Sequence, residues 1–332
     1  MKVLVTGNAG FIGFHVCKKL IERGDVVVGL DNLNNYYDIE LKKSRLKILK
    51  KTAKESKARY SFFKLDISNR KEVKKIFKKF KFDRVIHLAA QVGVRYSLRN
   101  PEVYVDSNLL GFSNIIDASY RSKVPHFVYA SSSSVYGGNT KLPFSVDDPV
   151  DRPISLYAAT KRSDELMGYC YSHLYRLPAT GLRFFTVYGP WGRPDMAAYL
   201  FVDAILSGRA IKLFNNGDMK RDFTYIDDIV SGVVAALDRA PCEDSAVGAG
   251  APHRLYNLGN NHPEPLLKFV ALLEKELACK AMVERLPMQP GDVTETYADI
   301  KQAQKDLGFA PTVSIEQGLP LFVSWFRDYH RR

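Results

Sequence analysis

Lys2-Val3-Leu4-Val5-Thr6-Gly7-Asn8-Ala9-Gly10-Phe11-Ile12-Gly13 is the stretch that decides the fold. An apolar run reads as a short buried strand. Glycines follow at GxxGxxG spacing, and apolar residues then recur at helical intervals through Ile12, Val16, Leu20 and Ile21. Glycine lets the main chain turn sharply and come close to a ligand. The first turn of the helix offers unpaired N–H groups and the positive end of its dipole. Strand, glycine loop and helix in this order make a cradle for a diphosphate, with Gly7, Gly10, Phe11, Ile12 and Gly13 as candidate contacts. A second strand over Val26–Leu30 ends at Asp31, 18 residues past Gly13. A carboxylate there accepts hydrogen bonds from the adenine-ribose hydroxyls and repels a 2′-phosphate, which points to NAD rather than NADP.

Outward from this unit, strand and helix patterns keep alternating. Strands are expected at Tyr60–Leu65, Val85–Leu88 and His126–Ala130, and helices over a Lys-rich stretch after Asp31 and over Arg70–Phe80. The fold class is therefore α/β, a doubly wound parallel sheet with helices on both faces. The second half is less regular, with helices expected over Asp227–Leu237 and Leu266–Leu277 and a mobile small-residue loop at 243–252.

Composition narrows the function. The 332 residues carry a net charge of +12, which by itself suggests an anionic polymer as partner. Residues 40–84, however, hold 18 Lys and Arg against 5 Asp and Glu, so the rest of the chain is close to neutral. The basic stretch reads as a solvated helical face and matches no nucleic-acid-binding module. The four cysteines are scattered without CxxC, and the histidines show no metal-ligand spacing, so neither a metal site nor a disulfide framework is expected. No long apolar run is present, and a strand pattern beginning at Lys2 leaves no room for a leader; the expectation is a cytoplasmic protein without a membrane segment.

Two patterns carry chemistry. Tyr157-Ala158-Ala159-Thr160-Lys161 follows Ser155, a residue suited to start a helix, and i, i+4 spacing puts Tyr157 and Lys161 on one face. An ammonium beside the phenol favours the phenolate, so Tyr157 can exchange a proton with an alcohol. Ser131-Ser132-Ser133-Ser134 ends the fifth strand, where ligands of open α/β sheets bind.

Glycine loop, strand-end Asp31, serine cluster and YxxxK together resemble the extended short-chain dehydrogenases/reductases, in their nucleotide-sugar epimerase branch, over essentially the whole chain. Asp31-Asn32-Leu33-Asn34-Asn35-Tyr36-Tyr37-Asp38, Thr186–Met196 (TVYGPWGRPDM), Arg221–Ile229 (RDFTYIDDI) and Gln289–Val293 (QPGDV) are similar to segments of UDP-glucuronate 4-epimerases. The resemblance implies a Rossmann domain over 1–187 with a returning segment at about 225–258, and a smaller nucleotide-sugar-binding unit from 188–224 and 259–332. It implies Tyr157 as proton acceptor from the sugar C4 hydroxyl, Ser132 as its helper, and Lys161 on the nicotinamide ribose. Asn32, Asp66 and Ile67 would lie near the adenosine, and Ala89, Ala90 and Gln91 along the cofactor. Arg221 would meet the diphosphate, Asp292 the uridine ribose, Leu213 and Phe214 the uracil, and Arg95 the sugar pocket. A homodimer through helices at 101–122 and 155–176 is implied as well.

The implied reaction inverts C4 of UDP-glucuronate to give UDP-galacturonate through a 4-keto sugar. That intermediate is a β-keto acid, which loses CO₂ when its carboxylate bond aligns with the ketone π system. The site must hold the carboxylate away from this alignment. Arg193 is the candidate, since its guanidinium is a rigid fork, with Ser133, Ser134 and Thr186 as hydroxyl donors. Related dehydratases carry Asp-Glu where this chain has Ser133-Ser134, and uronate decarboxylases carry Glu where it has Ser134. The alternatives left open are a UDP-glucose or UDP-N-acetylglucosamine 4-epimerase and, behind it, a UDP-glucuronate decarboxylase.

Overall fold

Side chains alternate along β1 (Lys2–Thr6), so Val3 and Val5 enter one apolar layer and Leu4 the other, and all three are fully buried. A strand apolar on both sides needs cover on both faces, which parallel strands joined by helical crossovers supply. In the computed structural model, which describes residues 1–242, 250–289 and 292–331, seven strands form such a sheet. Besides β1 they are β2 (Val26–Asp31), β3 (Tyr60–Lys64), β4 (Arg84–His87), β5 (Phe127–Ser132), β6 (Ala179–Phe184) and β10 (His253–Leu258), in the order β10-β6-β5-β4-β1-β2-β3 and all parallel. The direction of winding reverses between β1 and β4, which opens a crevice at their carboxyl ends. The strand β10 arrives late from the second half and pairs along the full length of β6, His253 opposite Ala179 and Leu258 opposite Phe184.

The helices α1 (Phe11–Glu22), α2 (Ile39–Glu55) and α8 (Ile226–Asp238) cover the face that carries Val3 and Val5. On the other face lie α3 (Arg70–Lys79), α5 (Gly111–Arg121) and α6 (Leu156–Tyr175). A one-turn α4 (Glu102–Tyr104) and a π-helical stretch (Val105–Leu110) run directly into α5. Local sequence starts several of these helices. Asp38, Asn69 and Ser155 each accept a backbone N–H of the first turn, at 2.9, 3.2 and 3.1 Å.

A smaller sheet gathers round β9 (Lys220–Tyr225), which pairs with β7 (Thr186–Tyr188), β11 (Pro263–Pro265) and β13 (Glu295–Thr296). The pair β8 (Ile211–Phe214) and β12 (Val283–Leu286) stands apart from it. The remaining helices are α7 (Ala197–Leu206), α9 (Leu266–Leu277), α10 (Lys301–Leu307) and α11 (Ile315–His330). Most of the loop expected at 243–252 lies outside the described residues, as do Pro290 and Gly291 of the QPGDV segment.

The Lys-rich stretch is largely solvated: Lys43, Lys47, Lys50, Lys51 and Lys54 of α2 are exposed. Lys42 and Arg45 on the same helix are buried, contrary to the reading of this stretch as a uniformly solvated face. The fifth strand reaches Ser132, two residues beyond the expected end, so Ser131 and Ser132 belong to the sheet. All four cysteines are free thiols. Among the described residues there is no cluster of three metal-ligating side chains, and no helix is long and apolar enough to cross a membrane.

Candidate active site

A cavity of about 440 Å³ opens along the carboxyl ends of the central strands and runs on to the smaller sheet. At one end lies the glycine loop. Gly7 has φ +71°, and a Cβ there would stand 2.7 Å from the Ala89 amide nitrogen. A Cβ on Gly13 would meet the Gly7 carbonyl oxygen at 2.1 Å. Only glycine fits at either place, and the loop lies flat against the sheet as a result. The N-terminus of α1 has no side-chain cap and no acidic residue in its first turn, so its N–H groups remain available to an anion. Asp31 accepts the Ala9 N–H at 3.2 Å and the Leu33 N–H at 2.8 Å. Burial pushes its carboxyl up, with Lys42 pulling the other way. An uncapped helix end, a glycine-only cradle and a strand-end carboxylate fit a dinucleotide whose diphosphate sits on the loop and whose ribose meets Asp31. Asn32, Ile67, Ala89, Ala90 and Gln91 also line this end. Asp66 does not; it accepts Asn32 Nδ2 at 2.8 Å and Ser68 Oγ at 2.7 Å and faces solvent.

Midway lie Ser132, Tyr157 and Lys161, brought together by β5 and α6. Lys161 is 2% exposed and donates to the Ala130 carbonyl at 2.9 Å and to Asp164 Oδ2 at 3.0 Å. Burial pushes the Asp164 carboxyl up to about 7, against the pull of Lys161. Its Oδ1 is buried without a hydrogen-bond partner. Ser132 Oγ accepts the Ser134 N–H at 3.1 Å, and Ser133 and Ser134 are among the residues that line the cavity. Ser131 points the other way. Its hydroxyl donates to Glu165 at 2.6 Å, and Glu165 receives Arg183 on both oxygens, at 2.8 and 3.0 Å. This buried two-point pair locks β5, β6 and α6 behind the reactive side chains. The π-helical stretch contributes Asn108, which bonds both backbone groups of Gln91 and, through Nδ2, Thr160 Oγ1. It pins the loop after β4 to the helix that carries Tyr157.

At the far end stands Arg193. Its Nε donates to Asp195 Oδ1 at 3.0 Å and its Nη2 to the other oxygen of the same carboxylate. Burial works against the charge, but Asp195 outweighs it and holds the guanidinium pKa above its ordinary value. The Nε/Nη2 edge of the fork is thus taken by Asp195, and Nη1 is left without a protein hydrogen bond among the described residues. Asp195 also accepts Tyr36 OH at 3.0 Å. Tyr36 lies at the head of a series of ring contacts, to Tyr96 at 4.9 Å, on to Tyr104 at 6.3 Å and to Tyr157 at 6.1 Å. Thr186, Arg221 and Asp292 also line the cavity. Arg221 donates to the carbonyls of Lys220 and Thr294, and burial lowers its pKa.

Three expectations need correction. The Leu213 side chain is 1% exposed and belongs to the apolar core, because strand alternation in β8 sends Ile211 and Leu213 inward together. It therefore offers no side-chain surface to a uracil. Phe214 and Arg95 lie outside the cavity lining and on one another, with the guanidinium 4.3 Å above the ring and bonded to Asp292 at 2.8 Å. Arg95 thus pairs with Asp292, which lines the cavity, without lining it itself. The residues that the sequence reading passed over are Tyr36, Lys42, Arg45, Asn108, Asp164 and Asp195. Tyr36 and Asp195 each fall inside a segment singled out for its resemblance. Nothing in the sequence distinguishes Lys42 and Arg45 from their solvated neighbours.

The family model described as GDP-mannose 4,6 dehydratase matches residues 4–321. The chain belongs to this family of short-chain dehydrogenases/reductases. It is 47% identical to the protein CapI of Staphylococcus aureus, with each chain covered completely. It is 48% identical to UDP-glucuronate 4-epimerase 4 of Arabidopsis thaliana over 99% of this chain and 76% of that one. The crystal structure of UDP-glucuronic acid 4-epimerase from Bacillus cereus, in complex with UDP-glucuronic acid and NAD, superposes with a TM-score of 0.89 at 34% identity, covering 99% of this chain and 100% of the other. Within the GDP-mannose 4,6 dehydratase family, the serines at 133 and 134 are the local departure from the acidic pair expected of a dehydratase.

Proposed function

We propose that this protein is a UDP-glucuronate 4-epimerase that inverts C4 to give UDP-galacturonate. The observation that carries the reading is a single cavity joining the glycine loop, the Ser132–Tyr157–Lys161 group and Arg193. Close similarity to proteins named for this activity, one of them crystallised with UDP-glucuronic acid and NAD, supports it. NAD, held by the glycine loop and Asp31, supplies a reversible hydride acceptor. Tyr157 takes the C4 hydroxyl proton, and Ser132 holds that oxygen by a hydrogen bond. Lys161, kept in line by Asp164 and Ala130, keeps positive charge beside the phenolate that accepts this proton. Ser133 and Ser134 present hydroxyls where a dehydratase would present acids, so water is not eliminated from the sugar, and Thr186 adds a hydroxyl donor for the carboxylate. Arg193 Nη1 holds the substrate carboxylate and keeps its bond to C5 out of line with the ketone. Arg221 faces the diphosphate and Asp292 the uridine ribose. After the 4-keto sugar turns, Tyr157 gives the proton back to the C4 oxygen, while the hydride that bound NAD would have accepted would return to the opposite face of C4.

The protein is taken to work in the cytoplasm as a homodimer. Val105, Leu110, Leu166, Tyr169, Leu174 and Tyr175 are large apolar side chains exposed on the π-helical stretch and α6, which suits helix-on-helix pairing with a second copy. Residues 1–187 with 225–258 would form the cofactor half, and the rest the sugar-nucleotide half. Incubation with UDP-glucuronate followed by chromatography tests the activity. UDP-galacturonate is expected from the native chain and none from Tyr157→Phe; a UDP-pentose as the main product would overturn the reading.

A further inference from the structure

We propose that Arg45 is the positioning residue that sets Arg193, and that through the same guanidinium it ties the acid-reading loop to the cofactor loop. This rests on the epimerase reading above. Arg45 is fully buried although its helix is otherwise rich in solvated lysines. Its Nη1 donates to the Ala9 carbonyl at 2.8 Å and to Tyr37 OH at 2.7 Å. Its Nη2 donates to the carbonyls of Trp191 at 2.6 Å and Gly192 at 3.2 Å. Ala9 belongs to the glycine loop, and Trp191 and Gly192 lead directly into Arg193. One cation therefore spans the two ends of the cavity.

These partners are carbonyls and a phenol, with no carboxylate among them, and Arg45 Nε is buried with no partner at all. A buried cation held this way is costly, and an apolar side chain would fill the space with less penalty. What the guanidinium adds is placement. The loop it grips is strained: Gly189 has φ +141°, and Trp191, which is not glycine, lies in the left-handed region at φ +62°. Such conformations persist only where the surroundings hold them. His15 holds the residue before. Burial lowers its pKa to about 3, so it is neutral, and its Nε2–H donates to the Pro190 carbonyl at 2.9 Å. Three consecutive carbonyls, of Pro190, Trp191 and Gly192, are thus fixed by two side chains, His15 from α1 and Arg45 from α2. Without Arg45 the loop can relax, and Arg193 with Asp195 moves relative to Ser133 and Ser134.

Arg45→Lys is the decisive variant, because an ammonium keeps the charge but cannot reach both loops as a planar fork does. Calorimetric titration of NAD-loaded protein with UDP-glucuronate and with UDP alone measures how much the uronate adds to binding. The variant is expected to lose about tenfold or more of that preference, the range of one charge-assisted hydrogen bond, with UDP binding little changed and NAD retained less firmly. Equal losses for both ligands, or no loss for either, would overturn the role of Arg45. If the lysine variant does not fold, Tyr37→Phe removes one of the four partners and decides in its place. A smaller shift in the same direction supports the proposal, and an unchanged preference overturns it. Native protein run alongside separates the two levels: failure to convert UDP-glucuronate would remove the epimerase reading and this proposal together, whereas normal conversion with an unchanged preference in the variants removes the Arg45 role alone.

Discussion

Replacing Arg193 by methionine keeps much of its volume and removes the one charge aimed at the substrate carboxylate. Alone, the change strands Asp195. Breaking a buried ion pair costs about 3–5 kcal/mol, although side chains 21% and 28% exposed place this pair below that range. Arg193→Met combined with Asp195→Asn leaves no lone charge, and Tyr36 OH keeps an oxygen to bond. Because Asp195 already takes the Nε–H and one Nη2–H, the smallest contribution of Arg193 to the substrate is one charge-assisted hydrogen bond from Nη1. Such a bond is worth about 1.5–3 kcal/mol, equivalent to a factor of about 10 to 150. The double variant should therefore lose 10- to 150-fold in kcat/KM for UDP-glucuronate while its residual turnover of UDP-glucose changes little. A share of UDP-pentose should also appear, because a carboxylate that rotates into line with the C4 ketone leaves as CO₂. Product chromatography at matched NAD content gives both quantities. Equal losses on the two sugars, with no pentose, would refute the assignment of Arg193 to the carboxylate.

Asp164→Asn should change how stability depends on pH. Burial holds this carboxyl at about 7 against an ordinary 3.8, so its contribution to folding is complete below pH 4 and is lost as pH rises through 7. At ~1.4 kcal/mol per pKa unit the loss is about 4 kcal/mol. The asparagine chain should gain on the native one across that window in urea unfolding, and a pH-independent difference would count against the argument. Asp31→Ser should raise the affinity for NADP relative to NAD by about a hundredfold, since a like charge set against a phosphate costs several kcal/mol; fluorescence titration with both cofactors measures it, and an unchanged ratio would move the ribose contact elsewhere.

Much of the cofactor end was legible in the sequence because its rules are local. A glycine spacing, a strand-end aspartate and the Ser155 cap depend on neighbours within a few positions, and α9 begins and ends at Leu266 and Leu277 as its apolar period predicts. The substrate end was legible only in part. Arg193 could be singled out, but its engagement with Asp195 and Tyr36 depends on bringing together the segments after β2 and β7. Arg45 was invisible for the same reason: it differs from the adjacent lysines only through Ala9, Trp191 and Gly192, which the fold brings to it. Leu213 was misjudged because the phase of a four-residue strand cannot be read until its partner β12 is known.

The late arrival of β10 bears on how the chain comes to be folded at all. Its pairing with β6 covers that strand and makes β10 the edge of the central sheet, yet it is made only after the ribosome has passed residue 258. Until then β6 stands as an open edge whose six residues are all buried in the finished protein, the kind of surface that recruits other strands. The long loop closure that follows makes this a slow, non-local step. Chains halted or cut near residue 187 would hold every residue of the glycine loop and still be prone to aggregate, so the ability to retain the cofactor is delivered by a strand that never touches it.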